Sequence, residues 1–316
     1  MIILTMKSFF YAKSNVLNEQ ISIIEELRRG LLLKAISPKE KAKLRWHTLI
    51  NRIHYSFLLV DKPAPIEIIK KLFTNEGKAN LNDLAKQIYR YKKALDYLYQ
   101  NWLVTEKQVS PKALTDLYKI AFDGKLMSSI SELDEALKYV QINPEHPIIQ
   151  AALAQIVIYS LSPFSVDNEH FSQLVFLLFL YKSGYDFRRM VAFEEYFFHD
   201  RLNHKIAIDS SLKKQNLTDW LDYVSRAVSN ELQKTLRDID FKGKEDIVNV
   251  NFFELNERQK NILSLFDNPD NKISNKMVMK RFKISPVTAS RDLSKLANLG
   301  LLLTIGKGRS TYYIKV

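Results

Sequence analysis

The chain has 316 residues, no cysteine, eight glycines and a formal net charge of +12 at pH 7. That length accommodates one large domain plus a small one, each with its own core. The missing cysteine excludes disulfides, thiolate catalysis and cysteine-ligated zinc, and so little glycine argues against a turn-rich β protein. Met1 to Val16 lacks the long apolar stretch and small-residue cleavage site of a signal peptide. The longest apolar run, Leu174 to Tyr181, is too short to span a bilayer. The expectation is a soluble cytoplasmic protein with no membrane association.

In chain order, Leu17, Ile21, Ile24, Leu27 and Leu31 recur on one face of a helix, so residues 1–40 read as an N-terminal helical segment. A second helix is predicted from about Pro38 to Leu59 with Trp46, Ile50 and Ile53 inward. Pro63 and Pro65 punctuate before a third over Ile66 to Phe73, and a fourth runs from Leu81 to Trp102 with Ile88, Leu95 and Leu98 on one face. Tyr89, Tyr91, Tyr97 and Tyr99 read as packing residues. Between Lys119 and Glu145 the pattern is mostly helical, as at Ser131 to Leu137. Ile156 to Leu161 and Leu174 to Leu180 are apolar nearly all round, which marks central helices. Residues 41–240 are expected to form a mainly α bundle, followed by a charged, irregular linker over 241–254.

Residues 255–316 hold twelve Lys and Arg against four Asp and Glu, so a fifth of the chain carries two-thirds of its excess charge. Such a concentration is the electrostatic footprint of a polyanion binder. Helices are predicted over Glu257 to Phe266, with Ile262, Leu263 and Phe266 inward, and over Asn275 to Phe282, capped by Ser274 with Val278 and Phe282 buried. Ser285-Pro286 supplies an N-cap and N1 proline for a third helix ending near Gly300. Its buried stripe is Ala289, Leu293 and Leu296, and its opposite face presents Thr288, Arg291, Ser294 and Lys295. A hairpin follows, Leu301 to Ile305 and Thr311 to Ile314, with Lys307 and Arg309 at its tip. Helix, turn, helix and wing is the layout of a major-groove reader. The candidate contacts with double-stranded DNA are Ser285, Thr288, Ser290, Arg291, Ser294, Lys295, Lys307 and Arg309.

The stretch Ser162-Pro163-Phe164-Ser165-Val166-Asp167-Asn168-Glu169-His170, with Gln173 beyond it, resembles the Fic (filamentation induced by cAMP) signature H-P-F-x-x-G-N-G-R-x-x-R. His146-Pro147 to Gln155, Ser183-Gly184-Tyr185, Asp200-Arg201 and Leu217 to Leu221 are similar to other stretches of that family, as is the C-terminal winged helix. The resemblance covers roughly residues 40 to 316. Family members with the intact motif transfer AMP, or another phosphate-containing group, to a protein hydroxyl. Pro163, Phe164 and Asn168 match. The general base is replaced by Ser162, the two glycines of the phosphate nest by Asp167 and Glu169, and the phosphate-clamping arginines by His170 and Gln173. His146 lies sixteen residues before Ser162 and is not the base.

The resemblance also implies an N-terminal inhibitory helix, whose best register puts Ser56 and Val60 at its two key positions, with no glutamate. A weaker register, Thr74 to Gly77, has Leu72 where Ser or Thr is needed. The family's β-hairpin flap has no counterpart in the pattern of Lys119 to Glu145. The individual residues carry blander readings too. Glu169 suits a helix N-terminus, His170 reads as a partly exposed helical residue, and Ser162 has no neighbouring base. His199 and His204 are five apart, the wrong spacing for ligands on one helical face, so neither a metal nor a cofactor is expected.

Three readings follow. The first is a catalytically silent Fic-like protein that binds DNA, with a homodimer suiting a palindromic site. The second is a divergent Fic-type AMP transferase using another base, and the third is a module of the Fic fold that binds a protein partner.

Overall fold

The computed structural model describes residues 9–74, 82–142, 145–248, 255–266, 272–298, 301–306 and 311–315. Helix starts follow the capping residues written in the sequence. Ser14 opens α1 (Asn15–Leu33), its Oγ accepting from Leu17 N at 2.9 Å. Ser37 and a first-turn proline open α2 (Pro38–Leu59). Next come α3 (Ile66–Thr74), α4 (Asp83–Trp102, capped by Asn82) and α5 (Pro111–Ala121, capped by Ser110). Helix α6 (Ile130–Gln141) starts at a full capping box between Ser129 and Glu132.

At the centre lie α7 (Pro147–Leu161) and α8 (Asn168–Lys182), antiparallel neighbours with buried residues on every face. His146 caps α7 through Nδ1, which accepts from Ile148 N at 3.3 Å, and its Nε2 lies 3.2 Å from Glu25 Oε1. Around this pair stand α2, α4 and α5 on the α8 side, and α6 and α11 (Thr218–Val248) on the α7 side. Trp220 of α11, fully buried, donates its indole N–H to Ala152 O of α7 at 2.8 Å. The 3-10 turn η1 (Phe187–Arg189), α9 (Phe193–His199) and α10 (Arg201–Lys214) complete the body. Helix α1 packs along α11, so the N-terminal segment is part of the bundle from Asn15 onward.

The small C-terminal unit comprises α12 (Glu257–Ser264), β1 (Ile273–Ser274), α13 (Asn275–Phe282), α14 (Pro286–Asn298), β2 (Leu302–Ile305) and β3 (Tyr312–Lys315). Its strands form an antiparallel sheet in the order β1-β3-β2, with Ile273 opposite Tyr313 and Thr304 opposite Tyr313 on the other side. Ile262, Phe266, Val278, Ala289, Leu293, Leu296 and Leu302 fill its core, joined by Ala42 from α2. Strand β2 also meets α3. The unit is therefore seated on the bundle.

The structure corrects several expectations. The stretch read as irregular from Phe241 is helical as far as Val248, a continuation of α11. Strand β1 has only two residues, too few to show a period. Ser274 occupies the N-cap position of α13 without a side-chain capping bond. Phe282 is half-buried, not buried. Leu81 and residues 75–77 of the weaker inhibitory register lie outside the described residues.

One buried pair has no signature in the sequence. Arg52 of α2 and Glu194 of α9 are 5% and 3% exposed, with Arg52 Nε 3.5 Å from Glu194 Oε2. Arg52 also donates to Tyr181 Oη at 2.9 Å and to Val191 O. Removing one partner strands a buried charge. Arg52→Met is expected to destabilise the protein by about 3–5 kcal/mol in urea unfolding, and adding Glu194→Leu to restore most of the loss.

Candidate functional site

Two places concentrate unusual residues: the loop between α7 and α8, and the outer face of α14. The loop begins where α7 ends on Ser162 in a left-handed conformation, φ 46°. Ser162 Oγ donates to Tyr159 O at 2.8 Å, which occupies its hydroxyl proton. Pro163 is buried, and Phe164 stacks face to face on Tyr118 with centroids 3.7 Å apart. Asn168 fixes the loop by bonding both backbone groups of Phe164: Oδ1 accepts from its N–H at 2.8 Å and Nδ2 donates to its carbonyl at 2.6 Å. Pro163, Phe164 and Asn168 thus hold the shape of the loop.

Carboxylates stand on either side of Asn168. Asp167 precedes α8 in a left-handed conformation, φ 58°, which aspartate tolerates better than most side chains. Its carboxylate pairs with Lys62. Glu169 stands exposed in the first turn of α8, and the partial burial of its carboxyl raises its pKa despite the nearby Arg201.

Residues 125–128 lie directly on the loop. Leu126 bridges Phe164 antiparallel, Met127 N donates to Pro163 O at 2.8 Å, and Ser165 N donates to Lys125 O at 2.8 Å. The interval Lys119 to Glu145 therefore supplies a single extended strip to the loop, with no hairpin among the described residues. Gly124 sits against the Tyr118 hydroxyl and Ser165, so close that a Cβ there would collide with both.

His170 is 1% exposed, which corrects the expectation of a partly exposed residue. From His170 to Tyr181 every residue of α8 is buried, so a polar side chain at position 170 goes inward. The imidazole stacks on Tyr91 with centroids 4.4 Å apart, meets Phe57 edge-on at 4.7 Å, and sets Nε2 3.3 Å from Ser56 Oγ. Burial, and then the nearby Lys62 charge, depress its pKa to about 3. Ser56, buried on α2, donates to Ile53 O at 3.0 Å, while Val60 closes α2 as its C-cap. The residue pair of the inhibitory register is thus divided, with Ser56 against His170 and Val60 at the helix end.

Gln173, Gln155 and His204 are buried around one cavity of about 10 Å³, bordered by Glu169. Gln173 Oε1, Gln155 Oε1 and His204 Nε2 have no hydrogen-bond partner among the described residues. The space suits roughly one water molecule and is far too small for a nucleotide. His204 stacks on Phe197 at 5.0 Å, and burial depresses its pKa to about 4. No cluster of three or more metal-ligating side chains occurs among the described residues.

The second place is α14. Ser285 Oγ caps it by accepting from Thr288 N at 3.2 Å and also contacts Thr288 Oγ1 at 2.9 Å. Ala289, Leu293 and Leu296 are fully buried, which turns Ser290, Arg291 and Ser294 outward, with Thr288 and Lys295 half-exposed. Lys307 and Arg309 lie outside the described residues. Asp292 was not singled out by its sequence context, yet it locks the helix in place. Its buried carboxylate takes Arg258 Nε at 2.6 Å and Gln259 Nε2 at 2.8 Å. Val287, 66% exposed at the start of α14, places an apolar side chain at the surface that its i, i+4 pattern did not reveal.

Residues 258–311 match the family model of the DeoR-like helix-turn-helix domain. No curated protein matches the sequence. Among solved structures, the chain is similar to a Fic family protein from Desulfovibrio desulfuricans G20 at 10% identity, with TM-score 0.60 over 97% of each chain. It is also similar to Fic-1 from C. elegans, at 14% identity and TM-score 0.55 over 70% of each chain. No helix among the described residues is long and apolar enough to cross a membrane.

Unfolded imidazoles titrate near about 6.5, so below that pH the unfolded chain binds protons that buried His170 and His204 refuse. The contribution of these two histidines should be level above about pH 7 and fall on acidification, opposed over the same range by Glu231, whose carboxyl burial pushes up to about 7. In urea unfolding, His170→Phe is expected to lose about 1 kcal/mol less than the wild type between about pH 6 and 5. The chain has the Fic fold and carries a DeoR-like helix-turn-helix domain at its C-terminal end.

Proposed function

We propose that the protein is a DNA-binding transcriptional regulator whose Fic-fold body no longer transfers nucleotidyl groups. The observation that carries this reading is the outer face of α14. Its hydroxyl and cationic side chains stand opposite a buried stripe, on a helix fixed by the Asp292 pair. In the helix-turn-helix mode α13 would cross the backbone and α14 would enter the major groove. Arg291 and Lys295 would meet bases or phosphates, with Ser285, Thr288, Ser290 and Ser294 as shorter polar contacts. Lys307 and Arg309 of the wing would reach the backbone, and a homodimer would suit a palindromic site.

Loss of catalysis is supported by the loop. The Ser162 hydroxyl proton is engaged by a carbonyl, Asp167 and Glu169 place two carboxylates at an anion-binding helix start, and His170 is neutral and sealed off. A protein partner at the same loop is favoured by one observation: Met127, Ile130 and Val166 beside it are 69%, 68% and 49% exposed. Co-purification of a partner that is lost on Met127→Asp would support that second reading.

The DNA reading is tested by fluorescence titration of duplex DNA across salt concentrations. Affinity should fall steeply with salt, and Arg291→Ala with Lys295→Ala should weaken binding and lower the salt slope by about two. Unchanged binding by that variant would overturn the assignment. Adding ATP should leave the thermal midpoint of the wild type where it is. A concentration-dependent rise, lost in Asn168→Ala, would instead favour the transferase.

A further inference from the structure

The bundle carries a second concentration of charge, away from the motif loop. Arg45, Thr48, Leu49 and Arg52 of α2, Tyr181 of α8, and Arg189 of η1 line one cleft. Arg45 and Arg52 are seven residues apart, two helical turns, and so share a face.

Arg189 is aimed by unusual backbone. Phe187, Arg188 and Arg189 have φ of 47°, 57° and 61°, three left-handed residues in a row and none of them glycine. Such conformations cost about 1–3 kcal/mol each and persist only where the surroundings enforce them. Here Phe187 is buried, and Arg188 donates to Leu31 O at 2.9 Å and Lys34 O at 2.8 Å, closing the C-terminal end of α1. Strain of this kind concentrates at functional sites.

The cations outnumber the anions that face them. Glu194 is committed to Arg52, and Asp186, though close enough to feel the charges of Arg45 and Arg189, forms no ion pair with either among the described residues. Arg45 uses Nε on Arg188 O at 2.9 Å, and its two terminal nitrogens make no hydrogen bond among the described residues. Arg189 lies over the Tyr99 ring at 4.3 Å, and its guanidinium makes no hydrogen bond among the described residues. Burial, and then repulsion from Arg189, lower the pKa of Arg45. Two half-buried guanidinium forks and a hydroxyl converging on one opening match the geometry of a tetrahedral oxyanion.

We propose that Arg45, Arg189 and Thr48 bind a phosphate group, as free phosphate or a small phosphate monoester, at the mouth of this cleft. The cavity of about 20 Å³ admits one oxygen and leaves the remainder of the ligand at the surface. The site lies one helical turn from Ala42, the α2 residue that packs into the core of the small C-terminal unit.

The test uses the full chain, with calorimetry and thermal unfolding in sodium phosphate against chloride at equal ionic strength. The wild type should bind phosphate and melt higher in it. Arg45→Gln and Arg189→Gln should melt near the wild type in chloride and bind phosphate at least about tenfold more weakly. Arg291→Ala with Lys295→Ala should bind it like the wild type, which separates this site from the DNA face. Equal affinity for glycerol phosphate would identify monoesters as ligands, whereas preference for inorganic phosphate would identify the free ion. Absence of binding up to about 10 mM phosphate, or unchanged affinity in both glutamine variants, would overturn the proposal.

Discussion

Helices α7 and α8 are buried on all sides along their central turns, and the surrounding helices of the bundle are arranged to satisfy that requirement. Their side chains need apolar neighbours all round, which α2, α4, α5, α6 and α11 supply. The loop joining them inherits its position from this packing and not from any ligand. Asn168 and the Tyr118–Phe164 stack then fix its path. The shape of the loop therefore does not depend on the side chains at its remaining positions.

The same constraint explains the fate of the polar residues near the start of α8. His170 and Gln173 cannot face water, so each must find a partner inside. His170 found Tyr91, Phe57 and Ser56, while Gln173 shares a small cavity with Gln155 and His204. An arginine at either position would need an anion to neutralise it in that interior. The positive charge of the chain is instead concentrated in the small unit seated on α2 and α3, where α14 presents it to solvent.

What the sequence disclosed followed periodicity and capping. Leu17, Ile24 and Leu31, seven apart, announced α1, and Ser285-Pro286 announced the start of α14 with its buried stripe in register. What it concealed depended on contacts between distant residues. Nothing near Arg52 points to Glu194, and nothing near Asp292 points to Arg258. The burial of His170 was hidden because a lone histidine after two carboxyl residues and an asparagine looks polar, although the helix it starts is apolar on every side. Charge in Phe241 to Val248 suggested a linker because Lys242, Lys244, Glu245 and Asp246 interrupt any apolar stripe in that part of α11.

The account stands or falls on whether the full-length protein reads DNA sequence, and selection from a pool of random duplexes tests that most directly. A recurrent short motif, enriched by the wild type and lost with Arg291→Ala and Lys295→Ala, is the predicted result. Retention of no DNA, or of DNA without any enriched motif, would contradict it and return the basic face of α14 to the role of a solvated surface.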